Sequence, residues 1–131
     1  IKYTYPLILT PGEDRGYSVR FPDLEGCFTC GDTMADAIFM AEDALALVLY
    51  GYEHDNRTIP VPSPATTISL ENNEFINTVA CDTLEYRKRF HSKSVKKTLT
   101  IPEWLNEAAI AMNINFSQVL QDALMSKINS I

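Results

Sequence analysis

The sequence predicts an α+β protein in which a small antiparallel sheet with one packed helix is followed by a separate strand–helix–helix unit. Three observations support this prediction. Short β-rich runs separated by turn residues open the chain, a long helix pattern follows them, and the residue pattern changes completely after residue 95. A chain of 131 residues can hold one ordinary domain or two small ones.

The first half of the chain predicts the order strand, turn, strand, strand, helix. The β-rich run KYTYPLIL and the alternating run YSVRF flank the turn residues TPGEDRG, so the two runs should form a hairpin. A second turn, PDLEG, precedes a short third strand, CFTCG. Thr33 then caps a helix from about Met34 to Tyr50, with Asp36 three residues after the cap.

The predicted helix is apolar on two sides. One face is suited to cover the sheet and comprises Met34, Ala37, Ile38, Ala41, Leu45 and Val48. The opposite face mixes acidic and apolar side chains: Asp36, Phe39, Met40, Asp43, Leu47 and Tyr50. Two explanations of this second face stay open. Either a second layer covers it, formed by the proline-rich connection or a dimer mate, or the face binds another protein.

The remainder of the first half predicts a connection, a fourth strand and a linker. The polar connection GYEHDNRTIPVPSPATT contains three prolines that favour an extended path. FINTVAC predicts a fourth strand, and the strand–helix–strand order favours a helix packed on the sheet. YRKRFHSKSVKK has six basic residues and no acidic residue. We therefore expect a first domain of residues 1–86, a basic linker of residues 87–94 and a second domain of residues 95–131.

Residues 95–131 predict one strand and two helices. A strand-like alternation over residues 95–101 ends at Pro102, and a helix should run from Glu103 to about Met112. Asn115 then caps a second helix, with Gln118 at the capping-box position. Units below about 40 residues rarely bury a sufficient core alone. The strand has no hairpin partner nearby, so we expect it to pair with the same strand of a second copy.

Such pairing would give a two-stranded antiparallel ribbon above four helices. Alternate side chains of the strand would face the helices and the solvent. A two-stranded ribbon fits the DNA major groove, and the free amides at a helix N-terminus suit a phosphate. The predicted DNA-binding residues are Lys96, Thr98, Thr100, Asn115 and Ser117. The predicted dimer core is Leu99, Ile101, Trp104, Leu105, Phe116 and Leu120.

Charge is distributed unevenly along the chain. Residues 1–85 have four Lys and Arg against fourteen Asp and Glu, a net charge of −10, whereas residues 86–131 have seven against three, a net charge of +4. These halves predict a basic tail for a polyanion and an acidic body for a basic partner.

We expect no membrane span and no secretory signal. Three cysteines, an odd number, favour a reducing cytoplasm over a disulfide framework.

Candidate catalytic and metal-binding groups do not converge in the sequence. Cys27 and Cys30 form a C-x-x-C pair within a predicted strand, and a second pair of zinc ligands is missing, so we expect structural cysteines. The carboxylates fall in turns and on the outer helix face, which favours a solvated surface over a Mg²⁺ site. His54 and His91 lie in polar, loop-like contexts. We expect no enzyme activity, no cofactor and no metal.

The C-terminal residues resemble a known DNA-binding family. KKTLTIPEWLNEAAIAMNINFSQVLQDAL is similar to the ribbon-helix-helix family in the Pro after the strand, the Trp/Leu/Ala helix face and the capped second helix. The resemblance implies that Lys96, Thr98 and Thr100 read bases, with one ribbon per dimer. A helical appendage that only dimerises the protein is the alternative.

The N-terminal residues resemble a second family. GYSVRFPDLEGCFTCGDTMADAIFMAEDALALVL is similar to the HicB antitoxin domain, with its Pro-Asp-Leu, Gly-Cys and Gly-Asp-Thr run before an Ala/Leu-rich helix. The resemblance spans roughly residues 3–85. It implies a partial RNase H-like fold without the hydrolase's metal centre, and neutralisation of a basic HicA toxin, an mRNA-cleaving ribonuclease. Members also bind their operator; some carry a helix-turn-helix instead, which the strand before Pro102 argues against.

Together these features predict a non-enzymatic antitoxin and autorepressor. Its partners would be a HicA-type ribonuclease toxin, operator double-stranded DNA and a second copy of the chain. The mixed acidic and apolar helix face, Asp36 to Tyr50, is the predicted toxin contact. Two alternatives stay open: a ribbon-helix-helix repressor that senses a small ligand and has no toxin partner, and a Mg²⁺-dependent nuclease.

Overall fold

The computed structural model describes residues 1–130, which form two units: residues 1–93 and the residues from 94 onward. Each unit is described by itself. The first contains β1 (Lys2–Pro11), β2 (Tyr17–Arg20), β3 (Phe28–Gly31), α1 (Met34–His54), β4 (Phe75–Asp82) and α2 (Thr83–Phe90). The second contains α3 (Glu103–Ala111) and α4 (Phe116–Asn129). The elements therefore give an α+β protein, as the sequence predicts.

The four strands of the first unit form one antiparallel sheet in the order β3-β2-β1-β4. β1 pairs with β4 from Lys2 opposite Asp82 to Leu9 opposite Phe75, and the end of β1 pairs with β2. Gly16 lies just before β2 at a φ of 85°, a conformation that favours glycine. The predicted hairpin, third strand and fourth strand are confirmed.

Helix α1 covers one face of the sheet and closes the core. Four of its side chains, spaced four residues apart, are fully buried: Ala37, Ala41, Leu45 and Leu49. They pack against inward-facing side chains of three strands, which include Tyr5, Leu7, Leu9, Val19 and Val79. The first face predicted from the sequence is thus the one that contacts the sheet, although its Met34, Ile38 and Val48 are only partly buried.

The start of α1 is fixed by a cap and by a close contact with β3. The Thr33 hydroxyl accepts a hydrogen bond from the Asp36 amide at 3.1 Å, which confirms the predicted cap. A Cβ atom placed on Gly31 would lie 2.3 Å from the Ala37 amide nitrogen. Only glycine at this position lets the strand end approach the first turn of the helix.

Helix α1 is one turn longer than predicted, because it continues through Gly51 to His54. The added turn carries Glu53, whose carboxylate accepts hydrogen bonds from the Tyr3 hydroxyl at 2.7 Å and the Thr83 hydroxyl at 2.9 Å. Burial, followed by the hydrogen bond to Glu53, raises the pKa of Tyr3 to about 12. The added turn therefore ties α1 to β1 and to the beginning of α2.

The proline-rich connection after α1 is anchored to the first unit. The Asp23 carboxylate accepts a hydrogen bond from the Ser63 amide at 2.9 Å and another from the Ser63 hydroxyl. The Tyr5 hydroxyl donates to the Pro60 carbonyl. Because Asp23 holds this segment, it is part of the structural framework rather than of the solvated acidic surface that the sequence suggested.

Residues 83–90 form a helix, so the predicted linker at residues 87–94 is wrong over its first half. Asp82 caps this helix, α2, by accepting a hydrogen bond from the Leu84 amide at 2.9 Å. Arg87 donates to Glu53 at 3.2 Å and so holds α2 against α1. A run of basic residues suggested a linker, yet the cap and this ion pair give the segment a fixed place in the first unit.

In the second unit both helices are confirmed but the predicted strand is not. The Asn115 side chain accepts a hydrogen bond from the Gln118 amide at 3.1 Å, as a capped helix requires. Residues 95–101 have no regular secondary structure in the single chain. A strand needs a hydrogen-bonded partner, and none is available to this segment within one copy. Its pairing with a second copy stays a prediction.

Candidate partner-binding surfaces

The outer face of α1 exposes apolar side chains among carboxylates. Phe39 is 62% exposed and Leu47 is 54% exposed, while Met40 and Asp36 are also on the surface and Asp43 is half-buried. At about 100° per residue these positions fall on one side of the helix. The proline-rich connection does not cover them, so this face is accessible to another protein or to a second copy.

Tyr50 is the exception among the six predicted contact residues. Its ring stacks on His91 with centroids 4.6 Å apart, and it lies 5.3 Å from the ring of Tyr86. The guanidinium carbon of Arg87 lies 5.0 Å from the Tyr50 ring centroid. This aromatic and basic cluster covers Tyr50 within the chain itself, so the exposed part of the outer face ends near Leu47.

A groove of about 230 Å³ runs between α1, the end of β4 and α2. It combines apolar walls with several carboxylates and one guanidinium, and it is lined by Phe39, Glu42, Asp43, Ala46, Ala80, Cys81, Asp82, Glu85, Tyr86 and Arg89. Phe39 and Asp43 belong to the face predicted from the sequence. The groove therefore extends that face sideways, from the helix surface to α2.

The α2 side of this groove lies outside the sequence prediction, because the basic run at residues 87–94 predicts a linker. The signal was present in the sequence. Asp82 and Glu85 have the spacing of a helix cap and its acidic partner, and Tyr86 and Phe90 lie four residues apart, where helical side chains meet. Their rings are 4.9 Å apart in the structure.

The remaining candidate groups show no convergence on a metal site. Across residues 1–130, no group of three or more His, Cys, Asp and Glu side chains is placed to hold a metal ion. Burial raises the pKa of Cys27 and of Cys81 to about 11, so both remain thiols at neutral pH. Cys30 is exposed, and His54 and His91 are surface residues at the edge of the aromatic cluster.

The second unit leaves its apolar side chains uncovered. No residue of α3 or α4 is buried, and Trp104 is 70% exposed. Five of the six predicted dimer-core side chains are exposed, and Leu120 is half-buried. Monomeric proteins rarely expose this much apolar surface in one small unit. The five predicted DNA-binding residues are exposed as well, although the Asn115 side chain is engaged as the helix cap.

The charge asymmetry does not follow the boundary between the units. Residues 1–93 hold eight Lys and Arg against fourteen Asp and Glu, whereas residues 94–131 hold three against three. Arg87, Lys88 and Arg89 lie on α2, within the first unit. The second unit is therefore neutral overall, with Lys96 and Lys97 as a local basic pair in the predicted ribbon.

None of the helices within residues 1–130 is both long and apolar enough to cross a membrane.

Comparison with protein families agrees with this architecture. The model of the HicB-like antitoxin of bacterial toxin-antitoxin systems matches residues 5–128, nearly the whole chain. The chain belongs to this family. The match spans both units, so the family relationship covers the second unit as well as the acidic body.

Individual relatives support the assignment. Antitoxin HicB 1 of Photorhabdus laumondii is 47% identical over 60 residues, which are 46% of this chain and 39% of that protein. Antitoxin HicB of Escherichia coli K12 is 45% identical over 60 residues, 46% of this chain and 44% of that protein. The matches thus span less than half the length of these curated relatives. A toxin-antitoxin complex from Streptococcus pneumoniae contains a chain with a TM-score of 0.64 and 29% identity, covering 97% of this chain and 99% of that one.

Proposed function

We propose that this chain is an antitoxin that binds and neutralises a HicA-type mRNA-cleaving ribonuclease, and that it represses its own operon by binding operator DNA as a homodimer. The observation that carries the first part is the exposed face of α1, where Phe39, Met40 and Leu47 lie among carboxylates. Membership of the HicB-like antitoxin family supports the same function.

The physical basis for toxin capture is a combination of charge and apolar area. A ribonuclease that binds mRNA needs a basic surface, and the net charge of −6 over residues 1–93, eight Lys and Arg against fourteen Asp and Glu, attracts such a surface from a distance. Phe39 and Leu47 then supply apolar contact area at the centre of the face. An acidic protein seated on the basic surface of the ribonuclease would exclude the RNA that competes for it.

The proposed regulatory role is supported by the second unit. Its exposed apolar side chains require a partner, and a second copy would bury them in one shared core beneath a ribbon of residues 95–101. The ribbon would present Lys96, Thr98 and Thr100 to the major groove. Two ribbon strands would bring four lysines, Lys96 and Lys97 of each copy, to one end of the dimer.

Growth rescue tests the antitoxin function. Where a small basic open reading frame is found beside this gene, it is induced in a test bacterium, alone and together with the full chain. We expect growth arrest by the small protein alone and normal growth with the full chain. A second arm expresses residues 1–93, and rescue by this unit places neutralisation in the acidic body. If the small protein is not toxic, a ligand-sensing repressor becomes the preferred hypothesis.

Substitution of the ribbon residues tests the DNA-binding role. We expect Thr98→Ala and Thr100→Ala each to reduce discrimination between operator and random DNA by about 1–3 kcal/mol per lost base contact. Lys96→Ala should weaken binding to both DNAs and flatten its salt dependence, because fewer counterions are released. Titrations at several salt concentrations measure both effects. Wild-type specificity in both threonine variants would contradict the ribbon assignment.

A further inference from the structure

We infer that the groove between α1 and α2 receives an arginine side chain from the basic protein partner, and that this contact orients the partner on the outer face of α1. The inference rests on the proposed capture of a basic protein. To that proposal it adds the site that fixes the orientation of the two bound proteins and the chemical identity of the group bound there.

The groove holds carboxylates that have no cationic partner of their own. Within residues 1–130, neither Glu42 nor Asp43 forms an ion pair or accepts a hydrogen bond. Glu85 is paired with Lys88 at 3.0 Å, and Asp82 is engaged in capping α2. Glu42 and Asp43 are adjacent on α1 and both line the groove. The guanidinium of the lining, Arg89, lies over the Phe90 ring at 5.1 Å and is not ion-paired with Glu42 or Asp43. These two carboxylates can therefore accept a cation from a partner protein.

The walls of the groove select among cations. Phe39 stands exposed at one side, Tyr86 lies on the other, and Ala46 and Ala80 leave room between them. An arginine side chain matches this lining, because its aliphatic stem packs on apolar surface while its planar guanidinium stacks on a ring and donates to carboxylates. The volume of about 230 Å³ is large enough for one arginine side chain.

The same features disfavour other occupants. A purely apolar side chain would bury Glu42 and Asp43 without a partner, which costs free energy. A nucleic acid phosphate would face carboxylates of like charge. A lysine would satisfy the charge but not the planar contact with Phe39 or Tyr86. The groove also continues directly into the exposed face of α1 through Phe39 and Asp43, so a protein seated on that face can reach it.

The test compares two double variants of the full chain that change the net charge by the same amount. Glu42→Gln with Asp43→Asn alters the groove, and Glu13→Gln with Asp14→Asn alters two exposed carboxylates in the turn after β1. The probe is the small basic protein that arrests growth only in the absence of this chain in the rescue experiment, that is, the toxin identified there. We expect the groove variant to raise Kd about 30-fold or more, mostly through faster dissociation, and the turn variant to change Kd less than about 3-fold.

A second measurement identifies the group in the groove. Each arginine of the basic protein is replaced by Gln and combined with the groove variant. For one arginine we expect the combined loss of affinity to be no larger than the larger of the two single losses, which is the signature of a shared contact. If every combined loss equals the product of the single losses, no arginine occupies the groove.

The outcomes separate this inference from the proposed function. If the wild-type chain does not bind the small basic protein, the antitoxin proposal itself fails. If the wild type binds and the groove variant binds as tightly, the outer face of α1 captures the partner without the groove, and only the inference is overturned. Equal thermal unfolding of the two double variants excludes a loss of fold as the cause of weaker binding.

Discussion

Leu99→Lys is expected to convert the proposed homodimer into a monomer and to abolish the proposed operator binding. Leu99 is 61% exposed in the single chain, so the substitution removes little of the burial that the monomer provides. In the proposed ribbon, however, Leu99 faces the shared core. A lysine there would be buried without a partner in both copies. This should weaken the free energy of dimerisation by about 3 kcal/mol or more per copy. Analytical ultracentrifugation measures the shift in the dimer dissociation constant.

The matched control is Thr98→Lys, which adds the same charge at the neighbouring position. Alternation along a strand places residue 98 on the opposite face from residue 99, towards solvent and DNA. The control should therefore remain a dimer at concentrations at which Leu99→Lys is monomeric. Equal dissociation of both variants would show that charge repulsion between ribbons, rather than burial of Leu99, sets the dimer stability. Dimeric Leu99→Lys would show that the copies associate through another surface.

Most of the first unit was predictable because its signals are local. The turn residues between β1 and β2, the period of α1 and the cap at Thr33 each act over a few neighbouring residues, and the structure confirms them. Helix α2 was missed for a different reason. Its basic residues suggest a solvated segment and outweigh the local signals of the Asp82 cap and the Tyr86–Phe90 spacing, while its place against α1 depends on distant contacts such as Arg87 with Glu53.

The same distinction applies to the candidate surfaces. Periodicity alone placed Phe39, Met40 and Leu47 on the outside of α1, and they are exposed. The covering of Tyr50 by Tyr86 and His91, and the groove beside Phe39, depend on α2 and could not be predicted without it. For the predicted strand at residues 95–101, by contrast, the local pattern is clear and the distant partner is what the single chain lacks. Its alternation is visible in the sequence, but its hydrogen-bond partner would belong to another copy of the chain.

Gly31→Ala is expected to lower the free energy of unfolding of the first unit by about 3 kcal/mol, the upper end of the usual cost of overpacking. The added Cβ would lie 2.3 Å from the amide nitrogen and 2.6 Å from the Cα of Ala37. Both atoms are backbone, so no side chain can rotate away. Relief requires the end of β3 and the first turn of α1 to separate, which would open the core around the fully buried Ala37 and Ala41. Urea unfolding measures the loss.

Gly51→Ala is the control, since it makes the same chemical change in the same unit. Gly51 lies inside α1, and a Cβ there would meet nothing within 4 Å. Alanine should stabilise the helix by roughly 0.5–1 kcal/mol, because it loses less backbone entropy on folding than glycine. The two variants should therefore shift the unfolding midpoint in opposite directions. A Gly31→Ala protein as stable as the wild type would mean that β3 and α1 do not approach as closely as the contact at Ala37 indicates.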